Sequence, residues 1–186
     1  MKFLYYLIVP FLVFTLFCKK SNSISQTEAE ENKQRIADGY RSQIKDHYVL
    51  LDAKPSKEEA LEYFLKGIAS GNKGAFGCNE EEYKNIFLPN QVDENNLSSY
   101  MEPDKAWEIA SFRREVAIES LSRSLLGKTF QVKQINWKKL NRKLNNLIGH
   151  QIGSIELEIE GEIQSTEAVK LIIEHENQFK VCVFAK

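Results

Sequence analysis

The sequence predicts an α+β domain in which N-terminal helices pack on a C-terminal antiparallel sheet of about four strands. Two patterns carry this. Between Ile152 and Phe184 apolar and polar residues alternate: Ile155, Leu157, Ile159 and Ile163 are interleaved with Glu156, Glu158, Glu160 and Glu162, the two-residue period of a strand with one dry face. Upstream, Ser56, Asn79 and Pro103 each open a stretch with helical spacing of apolar residues, as helix starts do. A small sheet must bury its apolar face against another element, and the upstream helices are the only candidates. The chain has 186 residues, 42% of them hydrophobic, enough for one core once a leader is set aside.

The chain starts with Met1-Lys2 and an apolar run from Phe3 to Phe17 that stops at Cys18-Lys19-Lys20. A helix of that length reaches about 22 Å, short of the ~30 Å hydrocarbon core, so residues 1–17 read as a signal sequence and not as a span. An apolar run ending at a cysteine resembles a bacterial lipoprotein signal, in which that cysteine is lipidated on sulfur and becomes the new N-terminus. The resemblance implies that Cys18 carries the lipid and that the protein is membrane-anchored in the bacterial envelope, at the periplasmic face or the cell surface. Several acyl chains hold a protein to a bilayer where one is marginal, each buried methylene contributing about 0.8 kcal/mol. Residues 18–35, polar from Ser21 onward, read as the lipidated cysteine and a flexible tether. That leaves 36–186 as a single folded domain.

Within the domain, the spacing Ile36, Tyr40, Ile44, His47 or Tyr48, Leu51 predicts an amphipathic helix despite Gly39, with His47 a half-buried packing residue. Ser56 and Glu59 have capping-box spacing, each such cap contributing about 1 kcal/mol. Ala60, Leu61, Phe64, Leu65, Ile68 and Ala69 form the face of that helix, and Gly71 stops it. The glycines of Gly71-Asn72-Lys73-Gly74 neither follow a strand nor match a phosphate-cradling motif, so this stretch reads as a turn. Asn79 and Glu82 repeat the box and open a short helix with Tyr83, Ile86 and Phe87, which Leu88-Pro89-Asn90 ends. A polar loop follows to Tyr100. Pro103 then suits the first position of a long helix with Trp107, Ala110, Arg114, Ala117 or Ile118, Leu121 and Leu125 on one face, ending at Gly127. Glu119 and Arg123 make a surface pair on it.

Thr129 to Trp137 reads as the first strand, with a bulge where the parity of Phe130 and Val132 gives way to that of Ile135 and Trp137. Lys138, Lys139, Arg142 and Lys143, interleaved with Leu140, Leu144 and Leu147, read either as a solvated connection between strands or as a small amphipathic helix touching anionic lipid headgroups. Gln164-Ser165-Thr166 supplies a turn after the main strand. Val169, Leu171 and Ile173 resume the alternation, Glu176-Asn177-Gln178 turns again, and Phe179, Val181 and Val183 close the set. The expected wet face carries the four glutamates, with Lys170 and Lys180 as cross-strand partners.

The charge balance of 25 basic against 26 acidic residues gives no footprint for nucleic acid. With three histidines, none at ligand spacing from another, no metal is expected, and no cofactor is called for. Arg114 is the arresting residue, because it falls on an apolar helix stripe where an unpaired charge costs several kcal/mol. It lies either at the rim beside Trp107 or a core-edge carboxylate, or in the wall of a pocket for an anionic ligand. If Cys18 is lipidated, Cys78 and Cys182 remain. A disulfide between them would close a loop of about 104 residues and contribute up to about 4.7 kcal/mol. Free thiols are the preferred expectation, since Cys182 on a strand serves equally as a small buried apolar residue. Neither has an activating neighbour in sequence for nucleophilic work.

Helices followed by strands, closing on a strand, a polar turn and Phe179-Lys180-Val181, resemble the cystatin-like roll of the nuclear-transport-factor-two-like superfamily from about Ser56 to Ala185. Together with the leader, Phe87-Leu88-Pro89-Asn90, Ala106-Trp107-Glu108, Arg113-Arg114 and Ile173-Glu174-His175 resemble uncharacterised spirochaetal lipoproteins. That family brings no activity with it. The roll superfamily includes isomerases and dehydratases that work with a carboxylate or histidine base in an apolar cavity. The expectation is therefore a non-catalytic, lipid-anchored envelope protein, its partners the membrane through the anchor and a protein or small-molecule ligand. The alternative is a pocket enzyme of the ketosteroid-isomerase type, which requires an ionisable residue on the concave face of the sheet.

Overall fold

A computed structural model of the chain describes residues 26–72, 76–94 and 96–185. The leader, Cys18, the first residues of the tether and Lys73-Gly74 of the predicted turn lie outside these. The chain divides into two units, Met1–Asn32 and Lys33–Lys186, and the second contains both apolar clusters and every site described below.

The fold is α+β, with helices preceding an antiparallel sheet. Helix α1 (Gln26–Arg41) begins inside the stretch read as tether, since Glu, Gln and Lys are good helix formers even where apolar residues are few. It buries Ile36, Ala37 and Tyr40 and ends ten residues before Leu51, so the long stripe expected through His47 does not exist. Helix α2 (Lys57–Ala69) starts where predicted: the Ser56 hydroxyl accepts from Glu59 N at 3.2 Å, and Gly71 follows the helix at φ +83°.

The capping box at Asn79 and Glu82 is formed from both sides and opens α3 (Glu80–Glu82). Pro89 does not stop this helix. With no N–H to return to the preceding turn, it would press its ring on the carbonyl behind it. The chain widens instead into a π-turn (Tyr83–Phe87), Leu88 N–H bonding to Tyr83 O, and continues as α4 (Leu88–Asn90). Two 3₁₀ turns (Val92–Glu94 and Leu97–Tyr100) lead to α5 (Pro103–Leu125), with Pro103 in its first turn.

The sheet has six strands, not about four. The long strand β3 (Leu147–Ile159) is its spine. Its first half pairs with β2 (Arg142–Leu144) and β5 (Val169–His175), its second half with β1 (Phe130–Trp137) and β4 (Glu162–Thr166), and β6 (Gln178–Phe184) lies beyond β5. The bulge expected in β1 is present between Val132 and Gln134. The basic run is neither a helix nor a bare connection, because Arg142–Leu144 forms a hairpin with β3 through Asn145-Asn146. The alternation from Ile155 to Ile163 is also not one strand. Glu160 (φ +52°) and Gly161 (φ +91°) turn the chain back, and Gln164-Ser165-Thr166, expected as a turn, lies in β4.

Two apolar clusters form, one containing Leu171, Ile173 and Cys182, the other Val169, Ile172, Val181 and Phe184. The β5–β6 hairpin is therefore buried on both faces, not one. Helix α5 runs from the first cluster, at Ala106, to the second, at Ala117, Leu121 and Leu125. Arg114 lies between them.

Candidate functional site

Arg114 is 8% exposed. Its Nη1 donates to Cys182 O at 3.1 Å and its Nη2 to Cys78 O. Its guanidinium carbon lies 5.0 Å from the Trp107 ring centroid and 4.0 Å from that of Phe184, within reach of cation–π attraction. Among the described residues no carboxylate forms an ion pair with it. Burial pushes its pKa down to about 10, a fall that Tyr83 and Glu82 partly offset.

The two cysteines whose carbonyls it holds are bonded to each other. Cys78 and Cys182 form a disulfide with Cα atoms 4.7 Å apart, which corrects the expectation of free thiols. The cause lies in the backbone: Cys78 N donates to Val181 O at 2.8 Å, so the segment entering α3 runs alongside β6. Gly77 permits that approach, because a Cβ there would lie 2.7 Å from Phe184 Cε1.

Arg114 stands in the wall of a cavity of about 380 Å³, within the size range of ligand pockets. Phe87, Ala106, Arg113 and Arg114 all line it, so three of the four motifs singled out in the sequence converge there. Tyr83 and Phe87, the two ends of the π-turn, both face it, and π-turns recur at functional sites. Burial raises the Tyr83 pKa. Arg142 also lines the cavity but is paired with Glu94, its Nε donating to Oε1 at 2.9 Å. Trp107, expected at a pocket or rim beside Arg114, is not in the wall; it supports Arg114 from behind.

Sequence reasoning missed Arg142, Gln91, Asn96 and Ser98 in this wall. Three come from the polar loop, which has no periodicity to place its side chains, and Arg142 from the basic run, where the spacing of Leu140, Leu144 and Leu147 suggested a helix and Arg142–Leu144 forms a strand.

The histidines lie elsewhere. His47, expected to pack, is exposed and meets Glu176 at 2.6 Å, and with His175 these form the one cluster among the described residues with metal-ligand proximity. His175 Nε2 already accepts the Tyr48 N–H at 3.0 Å. Its Nδ1 therefore carries the proton and donates to Asn146 O at 3.0 Å, leaving no lone pair for a cation. His150 Nε2 meets Glu174 Oε2 at 2.6 Å, while its buried Nδ1 has no hydrogen-bond partner among the described residues. Lys180 was expected on the wet face opposite the glutamates; it is instead buried and holds both oxygens of Glu82, at 2.8 and 2.7 Å. Two of the glutamates find other cations: Lys133 lies 2.5 Å from Glu158 and Lys128 lies 3.8 Å from Glu160.

No protein-family model, curated protein or solved structure matches the chain.

Proposed function

We propose that this chain is a membrane-anchored protein of the bacterial envelope, lipidated at Cys18, resembling spirochaetal lipoproteins with a cystatin-like roll, and that its domain holds a small ligand without transforming it. The observation that carries the ligand part is Arg114: a buried guanidinium with no carboxylate partner among the described residues, standing in the wall of the cavity. Burying a cation costs several kcal/mol unless it is compensated. Two carbonyl oxygens and two aromatic faces compensate it in part, and a bound anion would complete the set.

The binding reading is preferred to the isomerase-type reading for a chemical reason. Among the described residues the wall contributes no Asp, Glu or His, so proton abstraction has no base there. Arginine, protonated at neutral pH, binds and orients but does not take protons.

The test is the mass of the protein purified from its own host, measured under native and then denaturing conditions. A reproducible excess of a few hundred daltons or less, lost on denaturation and lost in Arg114→Met, is expected. A native mass equal to the denatured mass in every preparation would overturn the ligand-holding reading.

A further inference from the structure

The Arg114 cavity is polarised from end to end. Its buried end offers one guanidinium. Toward solvent the wall carries Leu97 and Ile109, 73% and 37% exposed, beside the exposed Arg113, and Phe112, three residues on from Ile109 along α5 and outside the wall, is 68% exposed. Large apolar side chains gathered at a cavity mouth mark a surface that receives an apolar group.

The charges at the buried end define the head of the ligand. Of the three arginines in the wall, Arg142 is neutralised by Glu94 and Arg113 is exposed to water, whereas Arg114 is buried and not paired with any carboxylate of the described residues, so the buried end lacks one negative charge. A guanidinium has five N–H donors. Nη1 and Nη2 each give one to a carbonyl, and those remaining can serve a two-oxygen head such as a carboxylate. The volume of about 380 Å³ lies toward the small end of the range for ligand pockets, which suits a short or medium-length ligand better than a long-chain lipid.

We infer that the cavity takes a carboxylate-headed, single-chain amphiphile of medium length, entering head first onto Arg114 with its tail leaving over Leu97, Ile109 and Phe112. This rests on the ligand-holding reading above and names the ligand class. The orientation keeps the charged head out of water only where a cation waits for it, and covers the exposed apolar side chains with the tail.

The test uses residues 21–186, which retain every described residue and both apolar clusters, in calorimetric titrations with decanoate, decanol and decyltrimethylammonium below their micellar concentrations. Decanoate is expected to bind with one-to-one stoichiometry, about tenfold or more tighter than decanol, with no binding of the cation. Arg114→Met should bring decanoate and decanol to similar affinity. Because that variant also loses the clamp on the two cysteine carbonyls, Ile109→Glu provides a second test. It puts a carboxylate into the wall at a partly exposed helix position and should weaken decanoate about tenfold while leaving the circular dichroism unchanged. Decanol binding as tightly as decanoate, or decanoate binding undiminished in Ile109→Glu, would overturn head-first recognition. Absence of decanoate binding would overturn the ligand class. In either case the native mass of the host-purified protein decides separately whether the cavity holds any ligand.

Discussion

Glu82 and Lys180 are 3% and 3% exposed, yet every charge-bearing atom of the pair is satisfied. Glu82 Oε1 accepts from Leu51 N and Oε2 from Asn79 N, both at 2.9 Å, while Lys180 Nζ binds both carboxylate oxygens and also Leu51 O at 2.6 Å. Removing one partner leaves the other charge buried and alone. Lys180→Met should therefore cost about 3–5 kcal/mol in urea denaturation, and Glu82→Leu added to Lys180→Met should recover part of that. Half of this pair was legible in the sequence: the capping-box spacing placed Glu82 at the start of α3, but the alternation of β6 turned Lys180 toward solvent. That inference fails because β6 is buried on both faces. Tyr40 offers a pH readout. Its hydroxyl donates to Met101 O at 2.7 Å and burial raises its pKa. Below about pH 10 both folded and unfolded chains keep this proton; above it the unfolded chain releases it first, so stability falls as pH rises. Arg114, held at about 10 by burial, acts in the opposite direction, because there the folded chain loses its proton first. Tyr40→Phe should cost about 1 kcal/mol at pH 7 by deleting the hydrogen bond. It should also make the loss above about pH 10 shallower, read as the difference between variant and parent denaturation curves at rising pH.

At the scale of elements, the disulfide fastens the segment entering α3 to the last strand across a sequence separation of 104 residues. Reduction, or Cys78→Ser with Cys182→Ser, should lower stability by about 2–5 kcal/mol, most of it through the greater freedom of the unfolded chain. Thiol alkylation of the denatured chain from residue 21 onward should add no mass before reduction and two adducts after it; adducts before reduction would refute the bond. The sequence could not decide this pairing, because the proximity depends on a backbone hydrogen bond from Cys78 to Val181 that leaves no composition signal. The hairpin at Glu160-Gly161 was hidden for a different reason. Odd positions stay apolar across it, yet Ile163 is 60% exposed, so the period persists where the burial does not. The helix starts at Ser56 and Asn79 were read well because a cap is a local interaction, formed within three residues of itself, whereas the stretch at Gln26 was read as tether.

At the scale of the molecule, the fold class was legible because helical and strand patterns occupy separate halves of the chain. The cavity was not, since its wall is assembled from the π-turn, the second 3₁₀ turn, α5, β2 and the end of β6. Arg114 alone announced it, as a charge on an apolar stripe. How the molecule is held in place is a separate matter from what its cavity does. The Lys33–Lys186 unit buries its apolar residues in two clusters, and among the described residues no helix is long and apolar enough to cross a membrane. Its most exposed large apolar side chains away from the cavity, Val49 and Leu140, lie on separate loops, and isolated apolar residues of this kind give little membrane affinity. On the proposed reading, retention in a bilayer would rest on acyl chains at Cys18, each methylene contributing about 0.8 kcal/mol. Cys18→Ser should move the protein from the detergent phase to the aqueous phase on temperature-induced separation, with the stability of the domain to urea unchanged. Partitioning that stays with the detergent in Cys18→Ser would refute the lipid anchor and leave the cavity argument intact, because that argument rests on described residues of the Lys33–Lys186 unit alone.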